Sequence, residues 1–358
     1  MRKDASLKMT IVKDIHLHEV TRPLRVTFAT AKGQKDVMQS VIVRVDLADG
    51  TSGLGECPTS LSLSSETIPV IERVLNEVRP QFQGMPIDEY GEKIGQLRKR
   101  YQQYPMSISG LEVALFRAHL ASKGITEHTH WGGKTRTVQT DITIPFVPDK
   151  SFLLRWMNYA FRKGFTVYKL KVSGDVEQDR ELISFVYKTM RDNLDDFKLR
   201  LDGNQGYNKR TFQQITDYTQ KEGYIIELFE QPLPKDDYQG LKVIKKSSPF
   251  PIILDETVLT GLDAQRVAEE DLAHGINIKM AKSGITESAA ILAVAKKHGL
   301  KLMIGCMTET MIGLSAAVYF AAGTETFDYI DLDAVFLLHH KNQYNDITLE
   351  GSCFMLES

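Results

Sequence analysis

The sequence predicts an α/β protein: a TIM-type (β/α)7β barrel preceded by a smaller α+β domain. Three observations carry this. Eight short apolar segments recur between residues 137 and 333, with starts roughly 25 to 30 residues apart, about the length of one strand, one helix and two short loops. Amphipathic stretches with helical spacing lie between them, at 179–190, 209–222, 262–273 and 288–298. Acidic and basic residues collect at the C-terminal ends of the apolar segments, where such a barrel builds its active site. The alternation implies a parallel sheet covered by helices, and eight units favour closure over an open doubly wound sheet.

In chain order, residues 11–25, 40–46 and 52–57 read as strands of an antiparallel sheet, with a turn at Ala48-Asp49-Gly50 between the last two. Helical patterns follow at 67–78, 88–101 and 109–123. Strands followed by helices point to a separate α+β domain over residues 1–130. The polar segment 27–37, with Lys32, Gly33 and Lys35, is expected to be a mobile loop able to close over a site. The barrel is expected over residues 131–338, with strands at 137–145, 166–172, 197–204, 225–232, 251–256, 276–282, 301–306 and 327–333. Residues 339–358 would return toward the first domain.

Composition agrees. A chain of 358 residues accommodates a barrel of about 250 and a second domain of about 100. A net charge of -2 offers no basic surface for nucleic acid. The first residues, MRKDASLKMTIVKD, lack the apolar core of a secretory signal, and no later run approaches a membrane span, so a cytoplasmic protein without membrane partners is expected. A homo-oligomer remains open. Cys57, Cys306 and Cys353, odd in number and irregular in spacing, argue against a disulfide framework or zinc knuckle and read as packing residues. No histidine stands among the acidic strand ends; His128, His130, His339 and His340 read as surface or loop residues.

The strand ends carry the chemistry. Lys169 and Lys171 lie at i and i+2 of one strand, so both side chains point to the same face. Asp202, Glu230 and Asp255 end the next three strands. Three buried carboxylates on consecutive strands repel one another unless a cation neutralises them, and a hard divalent ion with oxygen ligands, Mg²⁺, answers that need. On the sixth strand Lys279 would face Lys171 across the mouth, giving a base on each side of a carbon held at the metal. Lys282 is the alternative there; three residues apart on a regular strand, only one of the two can enter the barrel, and parity leaves the choice open.

The ordered set Lys-x-Lys, Asp, Glu, Asp, Lys resembles the enolase superfamily, in its muconate-lactonizing-enzyme subgroup, over nearly the whole chain. The resemblance implies that Asp202, Glu230 and Asp255 ligate Mg²⁺, that Lys171 and Lys279 are the acid/base pair, and that Lys169 assists Lys171. It selects Lys279 through a glycine five residues on, Gly284. It also implies that Asn204 stands behind the metal ligands, that Met307 and Glu309 belong to the seventh-strand motif, and that the N-terminal region is a capping domain reading the substrate. Asp331 and Asp333, again at i and i+2, are similar to the pair that holds the substrate's free ammonium in dipeptide epimerases, and Thr140 and Thr143 resemble that group's first barrel strand.

The physics supports the implied chemistry. Removing a proton beside a carboxylate builds a dianionic enediolate, and a positioned base alone supplies only about 10² to 10⁴ in rate, so charge stabilisation must supply the rest. A lysine of pKa about 10.4 must drop roughly 2 to 3 units, about 3 to 4 kcal/mol, to act near neutrality. An ammonium roughly 6 Å away at an effective dielectric of about 20 supplies near 3 kcal/mol, the part expected of Lys169. The expected reaction is 1,1-proton transfer at the C-terminal residue of a dipeptide such as L-Ala-D/L-Glu. An acidic side chain there would need a cation from the capping loop, with Arg22, Arg25, Lys32 and Lys35 as candidates. Hydrophobic or cationic dipeptides fit the same scaffold. A lyase of the superfamily, of o-succinylbenzoate-forming type, would not need the paired aspartates; a Schiff-base aldolase would leave three carboxylates unexplained; an idle binding protein would exchange no protons. Two departures from the pattern stand out: Ile285 where a second glycine is common, expected to alter only loop packing, and an ending at Phe354-Met355-Leu356-Glu357-Ser358 without a glycine-rich closing segment, expected to leave the capping domain less complete.

Overall fold

A computed structural model describes residues 10–147, 149–339, 344 and 346–357. The first nine residues, His340 and Ser358 lie outside the described residues.

The N-terminal domain is an antiparallel sheet of β1 (Val12–Thr30), β2 (Gly33–Leu47) and β3 (Ser52–Pro58), backed by α1 (Ile68–Val78), α2 (Tyr90–Arg100) and α3 (Pro105–Ser122). The segment 27–37, expected as a loop, is instead the tip of the β1–β2 hairpin, pairing Phe28 with Lys35, Ala29 with Gln34 and Thr30 with Gly33. A register shift between Pro23 and Phe28 breaks the alternation that marks a strand in sequence, and Lys32, Gly33 and Gln34 at the turn are exposed. Helix α3 is buried all round, pressed on β3 on one side and the barrel on the other. Glycine makes this approach possible, since a Cβ on Gly55 would run into the backbone of Gly110.

After a short α4 (Glu127–His130), eight parallel strands follow one another round the barrel: β5 (Ile142–Ile144), β6 (Val167–Lys171), β7 (Lys198–Asp202), β8 (Ile226–Glu230), β9 (Ile252–Leu254), β10 (Gly275–Lys279), β11 (Lys301–Gly305) and β12 (Tyr329–Asp331). Outside them run α5 (Lys150–Arg162), α6 (Val176–Asn193), α7 (Lys209–Lys221), α8 (Tyr238–Ser247), α9 (Gly261–Glu269), α10 (Met280–His298) and α11 (Met311–Thr324). Side-chain acceptors begin most of them: Asp149, Asp175, Asn208, Asp237, Thr260 and Thr310 each accept from a first-turn amide.

Two boundaries differ from expectation. The predicted first barrel strand, 137–145, is two strands. Only β5 belongs to the barrel, and β4 (Thr137–Gln139) pairs antiparallel with β14 (Cys353–Leu356), itself the partner of β13 (Ile347–Glu350). The terminal hairpin therefore lies against β4, while residues 337–339 meet the N-terminal domain at Pro23, Leu24 and Arg25 of β1 and the Tyr344 ring lies 4.9 Å from the Arg117 guanidinium of α3. The predicted sixth strand stops at Lys279 and turns into α10, which bends at Gly284 (φ 65°). Lys282 stands on the first helical turn, so strand parity does not govern it. Only Gly284 carries a left-handed φ at this bend, which is why Ile285 is tolerated.

No backbone ladder joins β12 to β5 among the described residues. Side chains bridge that seam: Leu332 N donates to Thr140 Oγ1 (2.7 Å), Thr143 N donates to Asp333 Oδ2 (2.6 Å), and Arg200 donates to Ile330 O (2.8 Å) and Asp141 Oδ2 (2.7 Å). Inside the barrel, Leu228, Ile253, Met303 and Tyr329 form a buried apolar layer, two residues before Glu230, Asp255, Gly305 and Asp331 respectively. The polar layer above it is the site.

Candidate active site

Residues of one parity fill the top layer: Lys171 on β6, Asp202 on β7, Glu230 on β8, Asp255 just past β9, Lys279 on β10 and Asp331 on β12. All are buried. Parallel register sets Lys171, Asp202 and Glu230 side by side, while β6 and β10, four strands apart in the ring, hold the two lysines on opposite sides.

Lys171 Nζ lies 2.5 Å from Asp202 Oδ2, and Lys279 Nζ lies 2.8 Å from Asp255 Oδ2 and 4.0 Å from Glu230 Oε1. Lys169 Nζ pairs with Asp331 and stands 3.5 Å from Glu230 and 3.8 Å from Asp202. Its charge is thus shared among three carboxylates. Burial opposes ionisation of Asp202 and Asp255, but the surrounding ammonium groups outweigh it and hold both carboxyls below the usual carboxylate range. Burial likewise works against the Lys279 ammonium, and Asp255 and Glu230 overcome it and raise its pKa.

Among the described residues no three His, Cys, Asp or Glu side chains are gathered as a ready metal cage; ammonium groups stand between Asp202, Glu230 and Asp255. The donor set nevertheless suits Mg²⁺: three hard oxygen ligands from neighbouring strands, with Glu230 Oε2 lacking any hydrogen-bond partner. Behind them, Asn277 Nδ2 donates to Glu230 Oε1 (2.6 Å), Asn204 N to Asp202 Oδ1 (3.0 Å) and Asn204 Nδ2 to Glu256 Oε1 (3.3 Å).

The cavity above this layer takes in Lys169, Lys171, Lys279, Asp255, Asn204, Asp331, Asp333, Thr143 and Met307. Asp333 precedes a short 3-10 turn but caps none of its amides, spending one oxygen on Thr143 N. Thr140, expected at the substrate, is used at the seam and does not line the cavity. Glu309 stands back from the cavity, accepting from Met307 N (3.1 Å). Arg25, expected at the substrate, is placed elsewhere: its guanidinium donates to the carbonyls of Leu338 (2.7 Å) and His339 (3.1 Å) and it is absent from the cavity wall. Its place is taken by Lys35, half-buried, whose ammonium donates to Thr59 O (3.2 Å) and which faces the cavity together with its cross-strand partner Phe28. The Phe28 ring lies 5.4 Å from Lys171 Nζ. Cys306, read as a packing residue, lines the wall.

Sequence reasoning missed two residues. Glu256 is buried beside Asp255, and burial with the charges of Asp255 and Asp202 pushes its carboxyl up to about 7. Its adjacency to a predicted ligand was the available signal. Lys282, left open by parity and passed over by the resemblance in favour of Lys279, reaches Asp255 Oδ1 (2.5 Å) and the Asp255 carbonyl with its ammonium. Both lysines of the sixth segment therefore grip one carboxylate.

A family model described as enolase C-terminal domain-like matches residues 153–356. The L-Ala-D/L-Glu epimerase of Bacillus subtilis is 30% identical over 96% of this chain and 93% of its own, and its substrate-liganded structure superposes with a TM-score of 0.90 over 97% of this chain. The aromatic dipeptide epimerase of Herpetosiphon aurantiacus is 30% identical over 92% of both chains. A dipeptide epimerase from Enterococcus faecalis, solved with Mg and L-Leu-L-Tyr, is 26% identical over 97% of both chains, with a TM-score of 0.88. With its barrel matched over more than half of the sequence and epimerases aligned along nine-tenths of it, this chain belongs to the enolase superfamily and is an isomerase.

Proposed function

We propose that the protein is a Mg²⁺-dependent dipeptide epimerase acting at the α-carbon of the C-terminal residue, with an acidic side chain preferred there, as in L-Ala-D/L-Glu. The observation that carries the reading is the pair Lys171 and Lys279, held on opposite sides of three buried carboxylates with Asp331 and Asp333 beside them. Asp202, Glu230 and Asp255 would hold Mg²⁺, which when bound supplies the positive charge that an enediolate requires. One lysine takes the α-proton from its face, and the other returns a proton to the opposite face. Lys169 adds positive charge where the substrate carboxylate sits. Asp331 and Asp333 hold the free ammonium and so measure a substrate one residue longer than a single amino acid. Lys35 faces the side chain of the reacting residue.

The test is proton NMR in D₂O with L-Ala-L-Glu, L-Ala-D-Glu and dipeptides of apolar and basic C-terminal residues. Loss of the second residue's α-proton signal with appearance of the other diastereomer is expected, fastest for the acidic pair. Lys171→Ala and Lys279→Ala should each abolish interconversion; wild-type turnover in either would sink the two-base mechanism. Asp202→Asn, Glu230→Gln and Asp255→Asn should each weaken Mg²⁺ binding in calorimetry.

A further inference from the structure

Helix α10 is interrupted one turn after Lys279. At Gly284 the backbone leaves helical geometry, exposing the Ser283 carbonyl on one side and the Ile285 and Thr286 amides on the other. None of these is left to water. Glu112, fully buried on α3 of the N-terminal domain, accepts from Ile285 N (3.1 Å) and Thr286 N (3.0 Å) and from the Thr286 hydroxyl. Arg98 of α2 pairs with Glu112 (2.5 Å) and donates to Ser283 O (2.7 Å). A Cβ at Gly284 would collide with both the carboxylate and the guanidinium. One ion pair from the capping domain thus clamps both sides of the bend.

Between strand and clamp hangs a single turn, Met280 to Ser283. Lys282 on that turn grips Asp255, whose other oxygen pairs with Lys279. The opposite base is braced separately and from within the barrel: Asp179 on α6 accepts from Ser173 N (2.8 Å), Ser173 Oγ (3.0 Å) and Gly174 N (2.8 Å), in the loop that follows Lys171. We infer that Glu112 is a positioning residue for Lys279 alone, so that α2 and α3 of the capping domain set the competence of one face of the reaction, while the backbone that carries Lys171 is braced by the barrel and the capping domain meets that lysine through the Phe28 ring at its ammonium. This rests on the two-base reading above.

The experiment follows α-proton exchange in D₂O from each diastereomer separately, in the full-length chain with Mg²⁺ and the dipeptide it turns over. Lys279→Ala and Lys171→Ala define which diastereomer depends on which base. Glu112→Gln keeps the shape but presents an amide nitrogen to backbone donors. It should slow exchange from the Lys279-dependent diastereomer by about tenfold or more, the scale of a misplaced catalytic group, with the other changed by less than about twofold. Asp179→Asn should give the reverse pattern. Equal losses on both faces, or no loss on either, would overturn the inference. Hydrogen–deuterium exchange of residues 280–286 supplies a readout without substrate: Glu112→Gln and Arg98→Met should both accelerate it, and unchanged protection would also overturn the assignment. A wild-type chain that exchanges neither diastereomer would instead remove the functional reading.

Discussion

Lys35 and Glu309, both outside the carboxylate layer, have surroundings that bring their acid–base behaviour near neutrality. Burial lowers the Lys35 ammonium to about 8. It is charged below that value and neutral above it. The KM for a dipeptide ending in an acidic residue should therefore rise as pH passes about 8, while an apolar dipeptide shows no such change, and Lys35→Met should abolish the difference; initial rates across pH 6.5–9.5 decide this. Glu309 moves the other way, its carboxyl pushed up to about 8 by burial and by the nearby Glu56. In the unfolded chain it ionises near pH 4.3, so between about 4.3 and 8 the unfolded state binds fewer protons and stability falls with rising pH. With about 1.4 kcal/mol per unit, Glu309→Gln should remove a slope of a few kcal/mol, seen as a smaller loss of Tm between pH 5 and pH 8. The carboxylates and lysines of the top layer were legible because each ends an apolar run; Lys35 was only one of four cations on a segment whose pairing the sequence concealed.

At the scale of elements, legibility followed regularity. Strands β6 to β9 and β11 were found because buried parallel strands are continuous apolar runs between turns. The β1–β2 tip was lost because a bulge and exposure erase alternation, and the 137–145 run was taken as one strand because nothing in its composition marks the corner at which β4 leaves for the terminal hairpin. Helix α3 offered a signal that was not used. Its sequence, PMSISGLEVALFRAHLAS, carries Glu112 and Arg117 as its acidic and basic charges among apolar and small residues, and a charge inside a buried helix requires a partner from another element. Arg117 finds Glu127 (2.6 Å), the Leu54 and Ile312 carbonyls (2.9 and 2.6 Å) and Ser315 Oγ (2.7 Å). Arg117→Met should cost about 3 to 5 kcal/mol in urea unfolding by stranding Glu127, whereas exposed Arg44→Met should cost under about 1.

For the whole molecule, these contacts decide how the two domains behave together. Glu56 on β3 accepts from Thr310 N (3.0 Å) and Gly313 N (2.9 Å) at the start of α11, and with Glu112 and Arg117 it fastens the capping domain to the barrel beside β10 and β11. Unfolding of the wild type should therefore follow one transition by far-UV circular dichroism and tryptophan fluorescence alike, Trp131 sitting between Phe116 of the capping domain and Phe320 of the barrel. Two separate transitions would contradict the fastening. Among the described residues no helix is long and apolar enough to cross a membrane. The two-domain plan was legible from the rhythm of the chain. Its fastening was not, because hydrogen bonds between residues 173 or more apart leave no local pattern.

The seam between β12 and β5 carries a final implication. There the barrel wall is sewn by Asp333, a side chain that also faces the cavity. Ligand occupancy and integrity of the wall are then thermodynamically linked. A dipeptide that engages the other oxygen of Asp333, which accepts from Cys306 Sγ (4.0 Å), should quiet local breathing and slow deuterium uptake at Thr143, whereas one that draws the carboxylate away should hasten it. The stitch makes the fold a reporter of what it holds.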